Sequence, residues 1–208
     1  MNNTFRAVVF LIGALSISSF SFSHNRVAVV PLGGISAKLT TITITKNYTG
    51  GQYDIAFNNQ GFFRNVGQYF EFLNSSLNAS AGLSTPLDLP QGAVLKSLSC
   101  YVDDQDANFN FGFASSAALE RRPRTSIINE QVLTSDLLLT TTGSASGLEA
   151  KTTSSFAHTT IDNDQYFYTM YVFFQVSDSV GGFITPPFTA AIRFYGCSVS
   201  YDLDVVAP

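Results

Sequence analysis

The segment from Pro86 to Phe113, PLDLPQGAVLKSLSCYVDDQDANFNFGF, does most to limit what the chain can fold into. From Val94, apolar side chains recur at Leu98, Cys100 and Val102, and Lys96 is the odd member of that face, with an amine that can reach outward at a sheet rim. A repeat of two is the signature of a strand with one buried face. The run Asp103-Asp104-Gln105-Asp106 breaks the alternation, because aspartate side chains compete for nearby backbone N–H groups and favour turns. Phe109, Phe111 and Phe113 then alternate again. The spacing predicts a strand, a polar turn and a second strand, arranged as a hairpin.

Abundant Phe and Tyr (19 and 9 residues), together with Thr, Val and Ile, suit a pleated sheet, and no long helix-period pattern follows the first twenty or so residues. The expected class is all-β, a single antiparallel β-sandwich of jelly-roll type. At 208 residues, 45 % of them hydrophobic, the chain can bury the core of one ordinary domain. The start, residues 1–23, has a short polar end with Arg6, an apolar stretch AVVFLIGALSI and small residues up to Ser23, the layout of a secretory signal peptide. Its apolar core is shorter than the roughly 20 residues that cross a bilayer. Residues 24–208 are then the sandwich domain, exported to the periplasm, the medium or the cell surface, and no transmembrane segment is expected in the mature chain. Ser21 offers a second cleavage point, and an uncleaved anchor is the alternative.

A net charge of -4 gives no basic field for phosphates, so nucleic acid is not an expected partner. The one basic run, Arg121-Arg122-Pro123-Arg124, reads as a solvated loop, the other reading being contact with an anionic lipid or glycan. In an oxidising compartment the isolated pair Cys100 and Cys197 reads as a disulfide, and two positions cannot close a zinc site without other ligands. Two buried reduced cysteines acting as small hydrophobes are the alternative. Cys197 shares a face with Tyr195, Val199 and Tyr201 at period two, and a bridge needs close Cα atoms, so the last strand is expected beside Val94–Val102 in one sheet.

Elsewhere Arg26–Gly34 reads as a first strand. Leu39, Ile42 and Ile44, the turn Asn47–Gly51, and Tyr53, Ile55 and Phe57 read as a second hairpin. A strand over Tyr69–Phe72 is followed by a long loop through Leu83. Thr125–Leu139 is ambiguous, and Thr140–Ser155 is a surface loop or weak edge strand. Tyr166–Val176, YFYTMYVFFQV, is apolar on both faces and reads as a central strand covered on both sides or placed at an oligomer contact. Ala190–Leu203 closes the sheet.

VAVVPLGG after the leader, LDLPQGAVLKSLSCYVDD at mid-chain, and DNDQYFYTMYV followed by AIRFYGCSVSY resemble a group of uncharacterised exported bacterial proteins with V-x-PLGG and LP-x-GA motifs. The resemblance implies a β-sandwich and an exported location, with Pro90 and Gly92 at the entry of the central strand and Asp103 and Asp104 at its exit. It implies no catalytic residues.

Asp104, Asp106 and Asn108 have the spacing of the first ligands of a calcium loop, but Phe109 stands where such a loop needs Gly and Ser115 where it needs the bidentate Glu. No metal or cofactor is expected. His158 is the one candidate imidazole base away from the leader, and no G-x-S-x-G elbow accompanies it. Glu71, Glu120, Glu130 and Glu149 are the acids available for glycoside hydrolysis. Tyr48, Tyr53, Tyr69 and Tyr101 are the candidate carbohydrate-stacking platforms in a chain without Trp. The resulting reading is an exported, non-enzymatic binding or assembly module, carbohydrate-binding or self-associating, with a glycoside hydrolase or lyase as the alternative. N-terminal sequencing of exported material should begin at His24; a chain beginning at Met1 would contradict the leader.

Overall fold

The computed structural model describes residues 39–59, 62–73, 80–104, 109–111, 115–141, 147–178 and 192–206, so the leader and the strand expected over Arg26–Gly34 lie outside the described residues. The chain forms β1 (Leu39–Thr49), a 3-10 turn (Gly50–Gln52), β2 (Asp54–Asn59), β3 (Phe62–Asn65), β4 (Phe70–Leu73), β5 (Ser80–Pro86), β6 (Val94–Asp104) and β7 (Phe109–Phe111). It continues as β8 (Ser116–Pro123), β9 (Glu130–Gln131), β10 (Leu137–Leu138), β11 (Gly147–Thr153), β12 (Tyr166–Asp178) and β13 (Ile192–Val206). These strands make two antiparallel sheets. The first runs β11-β6-β13-β4-β3, with β1 beside the second half of β13. The second runs β10-β8-β12-β5-β2, with β7 on β12 and β9 on β8.

The sheets face each other across one core, a β-sandwich. Leu98, Cys100, Val102, Phe194, Cys197 and Val199 point in from the first sheet, and Leu83, Leu119, Met170, Val172 and Phe174 from the second. Phe194 joins the layers: its ring centroid lies 5.2 Å from that of Phe174 and 5.2 Å from that of Tyr53, both edge-on. Such pairs are worth roughly 0.5–1.5 kcal/mol beyond the area they bury. The Tyr53 hydroxyl finds its partner inside the core, donating to the Met170 sulfur at 2.9 Å.

The last strand does lie beside β6 in the same sheet. Cys197 is the register partner of Cys100, and their sulfurs are bonded across Cα atoms 4.0 Å apart. Two bulges adjust which side chains join them. On β13 the register shifts between Phe194 and Gly196, so Phe194 enters the core and Tyr195 turns to the outer face, not to the face of Cys197. On β6 a second shift leaves Lys96 as the extra residue, so Leu95 is buried while Val94 is exposed, the reverse of a strict alternation from Val94. Gly196 has φ +115°, and a Cβ there would sit 2.0 Å from the Tyr48 carbonyl oxygen, so only glycine lets β1 close onto the bulge.

Both expected hairpins are instead crossings. β6 belongs to the first sheet while β7 pairs with β12 in the second; β1 pairs with β13 while β2 pairs with β5. Alternation identifies a strand but is silent about its neighbour, and in both cases the strands before and after the polar segment belong to different sheets. Part of the long loop expected before Leu83 is β5, in which Ala81, Leu83 and Thr85 alternate inward. Thr140–Ser155 contains the edge strand β11 on β6. Entry to β6 is a type II turn: Ala93 N–H donates to the Pro90 carbonyl at 3.2 Å, with Gly92 at φ +77°.

Removing the cross-link by Cys197→Ser should lower unfolding stability by a few kcal/mol, since closing a loop with a separation of 97 residues has an entropic value on the order of 4 to 5 kcal/mol. An unchanged denaturation midpoint would contradict this. A second expectation concerns alkali. Burial raises the hydroxyls of Tyr48, Tyr53, Tyr168 and Tyr201 above the ordinary value of 10.0. The folded state therefore keeps protons that the unfolded chain gives up, and stability should fall as pH rises past about 10. Thermal melts at pH 8 and pH 11 measure the difference.

Candidate functional site

β12 is central in its sheet, yet only one of its faces is covered. Tyr168, Met170, Val172 and Phe174 are buried in the core, while Phe167, Thr169, Tyr171 and Phe173 alternate on the outer face, where Phe167 is exposed and the other three are half-buried. The reading of this strand as covered on both sides is thus corrected: the second set is uncovered and mostly aromatic, and Thr169 and Tyr171 of it line a surface depression. Small residues stand beside Tyr171. It is flanked in register by Ala118 of β8 and Ser84 of β5, and Phe173 by Gly82, so neither directly opposite neighbour of Tyr171 is bulky.

The depression holds about 230 Å³ and is lined by Ala56, Ser84, Glu120, Arg121, Arg122, Asn129, Thr169 and Tyr171. Glu120 sits opposite Thr169, and its carboxylate accepts a hydrogen bond from the Asn129 amide at 2.6 Å. Asn129 immediately precedes β9, whose Glu130 is tied to Arg121 by a 2.7 Å ion pair, so the rim of the depression is anchored to β8. Burial, and then the charge of Glu120, raise the Tyr171 hydroxyl above its ordinary value, keeping it a neutral donor. The result is one aromatic ring, Tyr171, with a carboxylate, an amide, two arginines and two hydroxyl side chains around it, a set that matches a ligand with a flat apolar side and many hydroxyls.

The four tyrosines singled out from sequence do not form one row. Tyr48 and Tyr53 are core residues, 4 % and 3 % exposed, and are corrected as stacking platforms, because a ring packed inside the sandwich cannot meet a ligand. Period-two patterns make tyrosines on strands visible, but the faces of β1 and of the entry to β2 were not separable without their partners. Tyr69 and Tyr101 are half-buried on the outer face of the first sheet. Tyr69 stacks against Tyr195 at 5.2 Å, with the Arg193 guanidinium 5.1 Å from its ring. The Tyr101 hydroxyl lies 3.4 Å from that of Ser198. Around them hydroxyls pair with one another or with aspartates: Ser99 with Thr152, Thr45 with Ser200, Thr43 with Asp202 and Thr41 with Asp204. That face meets much of its own hydrogen-bonding demand. Tyr171 was missed because YFYTMYVFFQV is largely apolar at both parities, and nothing local separates Tyr171 from Tyr166 and the enclosed Tyr168 in the same run.

Asp106 and Asn108 lie outside the described residues, and His158 is half-buried with its backbone N–H donating to the Val132 carbonyl; the other candidates have side-chain partners. Glu71 is buried beside Arg193 at 3.3 Å, with Asp103 4.0 Å away on the other flank of the same guanidinium. Glu130 and Glu149 are paired with Arg121 and Lys151. Of the acidic turn, Asp104 accepts from the Thr141 hydroxyl at 2.5 Å, and Asp162 caps its own turn by accepting from Asp164 and Gln165 N–H. No group of three or more His, Cys, Asp or Glu that could hold a metal occurs among the described residues. The basic run is corrected too: Arg121 and Arg122 lie on β8, and the Arg121 side chain is only 14 % exposed, 4.1 Å from the Tyr166 ring.

No protein-family model matches the sequence, and no curated protein is similar to it. Among solved structures, the chain is similar to a low-affinity xylan-binding module, CBM86, from Roseburia intestinalis, at 12 % identity over 76 % of this chain and 94 % of that one, with a TM-score of 0.37. It is also similar to a family 29 carbohydrate-binding module from Piromyces equi, at 10 % identity over 81 % and 91 %, TM-score 0.35. Likeness at this level bears no functional argument.

Proposed function

We propose that this chain is an exported, non-enzymatic module that binds a polysaccharide in the depression over β12. The observation that carries the reading is Tyr171, a half-buried ring between small neighbours, edged by the Glu120–Asn129 pair. Sugar rings combine a flat C–H face with hydroxyls that both donate and accept, and an aromatic floor with a polar edge satisfies both. Export is supported by the leader-like start and by the disulfide, which persists in oxidising compartments. Glycoside hydrolysis in its usual form needs two carboxylates across the bond, and Glu120 is the one carboxylate among the lining residues described, which supports binding over cleavage. Self-association through a flat apolar sheet face fits less well, because Thr169, Glu120 and Arg122 interrupt the aromatic set.

Affinity electrophoresis against a panel of soluble polysaccharides tests the reading. Retardation by at least one of them is expected, with Tyr171→Ala weakening it at least tenfold, about 1.4 kcal/mol, and Tyr171→Phe largely restoring it, at an unchanged melting temperature. Retardation by none, or a Tyr171→Ala variant that binds as the parent does, would remove the proposal; release of reducing ends would favour the enzyme.

A further inference from the structure

Pro123 interrupts the basic run, and the pleat sorts what remains. Arg121 turns inward to Glu130 and Tyr166, whereas Arg122 and Arg124, two residues apart, share the outer face with the groove. Both guanidinium groups meet the same ring: Arg122 lies 5.7 Å and Arg124 4.1 Å from the centroid of Phe167, the register partner of Arg122 on β12 and 44 % exposed. Arg124 is steadied further by its Nε, which donates to the Asn163 carbonyl at 2.9 Å.

Their charge is unmatched among the described residues. Lys46, Lys96, Arg121, Lys151 and Arg193 each have a carboxylate partner, while among the described residues no ion pair is formed by Arg122 or Arg124. In a chain of net charge -4, two unpaired guanidinium groups held on one exposed ring are a local exception. A stacked, planar guanidinium presents its N–H groups in a fork that fits a carboxylate with two parallel hydrogen bonds. Arg122 also lines the depression that contains Tyr171, and Phe167 and Tyr171 are four residues apart on one strand, about 13 Å at ~3.3 Å per residue. One extended ligand could therefore place a sugar over Tyr171 and a charged substituent at Arg122.

We propose that the Arg122–Arg124 end of the groove takes the carboxylate of a uronic acid residue, so that the ligand is an acidic polysaccharide. This rests on the glycan-binding reading above and specifies its chemistry. An anionic membrane is the competing partner for two arginines near the exposed Ile127 and Ile128. The groove favours the sugar, because Arg122 shares its lining with the Tyr171 ring and the Ser84 and Thr169 side chains, which suit a sugar ring rather than a layer of lipid headgroups.

The test uses polygalacturonate, alginate and glucuronoxylan, each beside its carboxyl-reduced counterpart, with dextran sulfate and phosphatidylserine vesicles as further probes. The mature protein should bind at least one acidic polymer ten times or more tighter than its reduced form, and this ratio should fall towards one in Arg122→Gln/Arg124→Gln. Arg122→Lys, which keeps the charge and loses the fork, should recover only part of it, and melting curves should show all variants folded. A ratio that persists in the double variant overturns the assignment, as does equal binding of acidic and reduced polymers. Binding to neutral polymers alone, still lost in Tyr171→Ala, sinks this inference and leaves the glycan reading standing; binding to no polysaccharide in either form sinks both. Dextran sulfate bound as tightly as the carboxylated polymers, or vesicles bound in their place, marks plain charge attraction or a lipid contact and overturns the uronate.

Discussion

The pairing of β6 with β13 is the constraint on which the rest of the sandwich depends. β13 is 15 residues long and is bordered on one edge by β6 and on the other by β1 and β4, so it sets the position of three strands at once. The Cys100–Cys197 bond fixes its register against β6, and the adjacent bulge then decides what β13 contributes to each side. With Tyr195 as the extra residue, Phe194 reaches inward to Phe174 of the facing sheet, while Tyr195 and Arg193 are delivered to the outer surface. A slip of one residue would exchange those roles and take away the contact that joins the layers. Gly196 belongs to the same device, since the room left by its missing side chain is filled by the β1 backbone.

Against this frame the two outer faces differ in how far they have met their own needs. On the first sheet, Thr and Ser hydroxyls satisfy one another across strands, and Arg193 is held between Glu71 and Asp103. On the second, an aromatic row lies beside glycine, alanine and serine, and two guanidinium groups stand without acidic partners among the described residues. Buried or mutually paired polar groups gain little from a ligand; unpaired ones on a preformed surface gain more. That difference supports the binding role proposed for the face over β12.

Much of the fold was legible because period-two alternation and turn chemistry are local. Strands expected over Val94–Val102, Tyr166–Val176 and Ala190–Leu203 overlap β6, β12 and β13, and the neighbouring placement of the two cysteine strands follows from covalent reach; Asp103 and Asp104, expected in a turn, are instead the buried last residues of β6. What was not legible is non-local. The turns after Asp104 and Thr49 look like hairpin turns, yet each leads to the other sheet, because nothing in four polar residues distinguishes a reversal within a sheet from a passage across its edge. Bulges at Lys96 and Tyr195 were invisible for a related reason: an extra residue is defined only by the partner strand that it fails to pair with. The site suffered most. Tyr48, Tyr53 and Tyr171 are chemically alike, and only the sheet decides that the first two are enclosed and the third is presented outward.

The register of β1 on β13 also governs how the domain would answer a pulling force. Leu39 pairs with Val206 and Thr49 with Gly196, so the outermost residues of the two strands lie side by side at one end of the sheet. Tension applied between them acts across the ladder and separates its rungs singly, as a zip opens, rather than loading all of them together as shear. The opening would run through the Thr–Asp and Thr–Ser pairs at Thr41, Thr43 and Thr45 and reach Tyr48, whose partner Cys197 is covalently held to β6. There β13 ceases to yield, and β1 alone peels away. Mechanically the domain is a weak flap over a cross-linked body, and the groove over β12 lies on the other sheet from that flap.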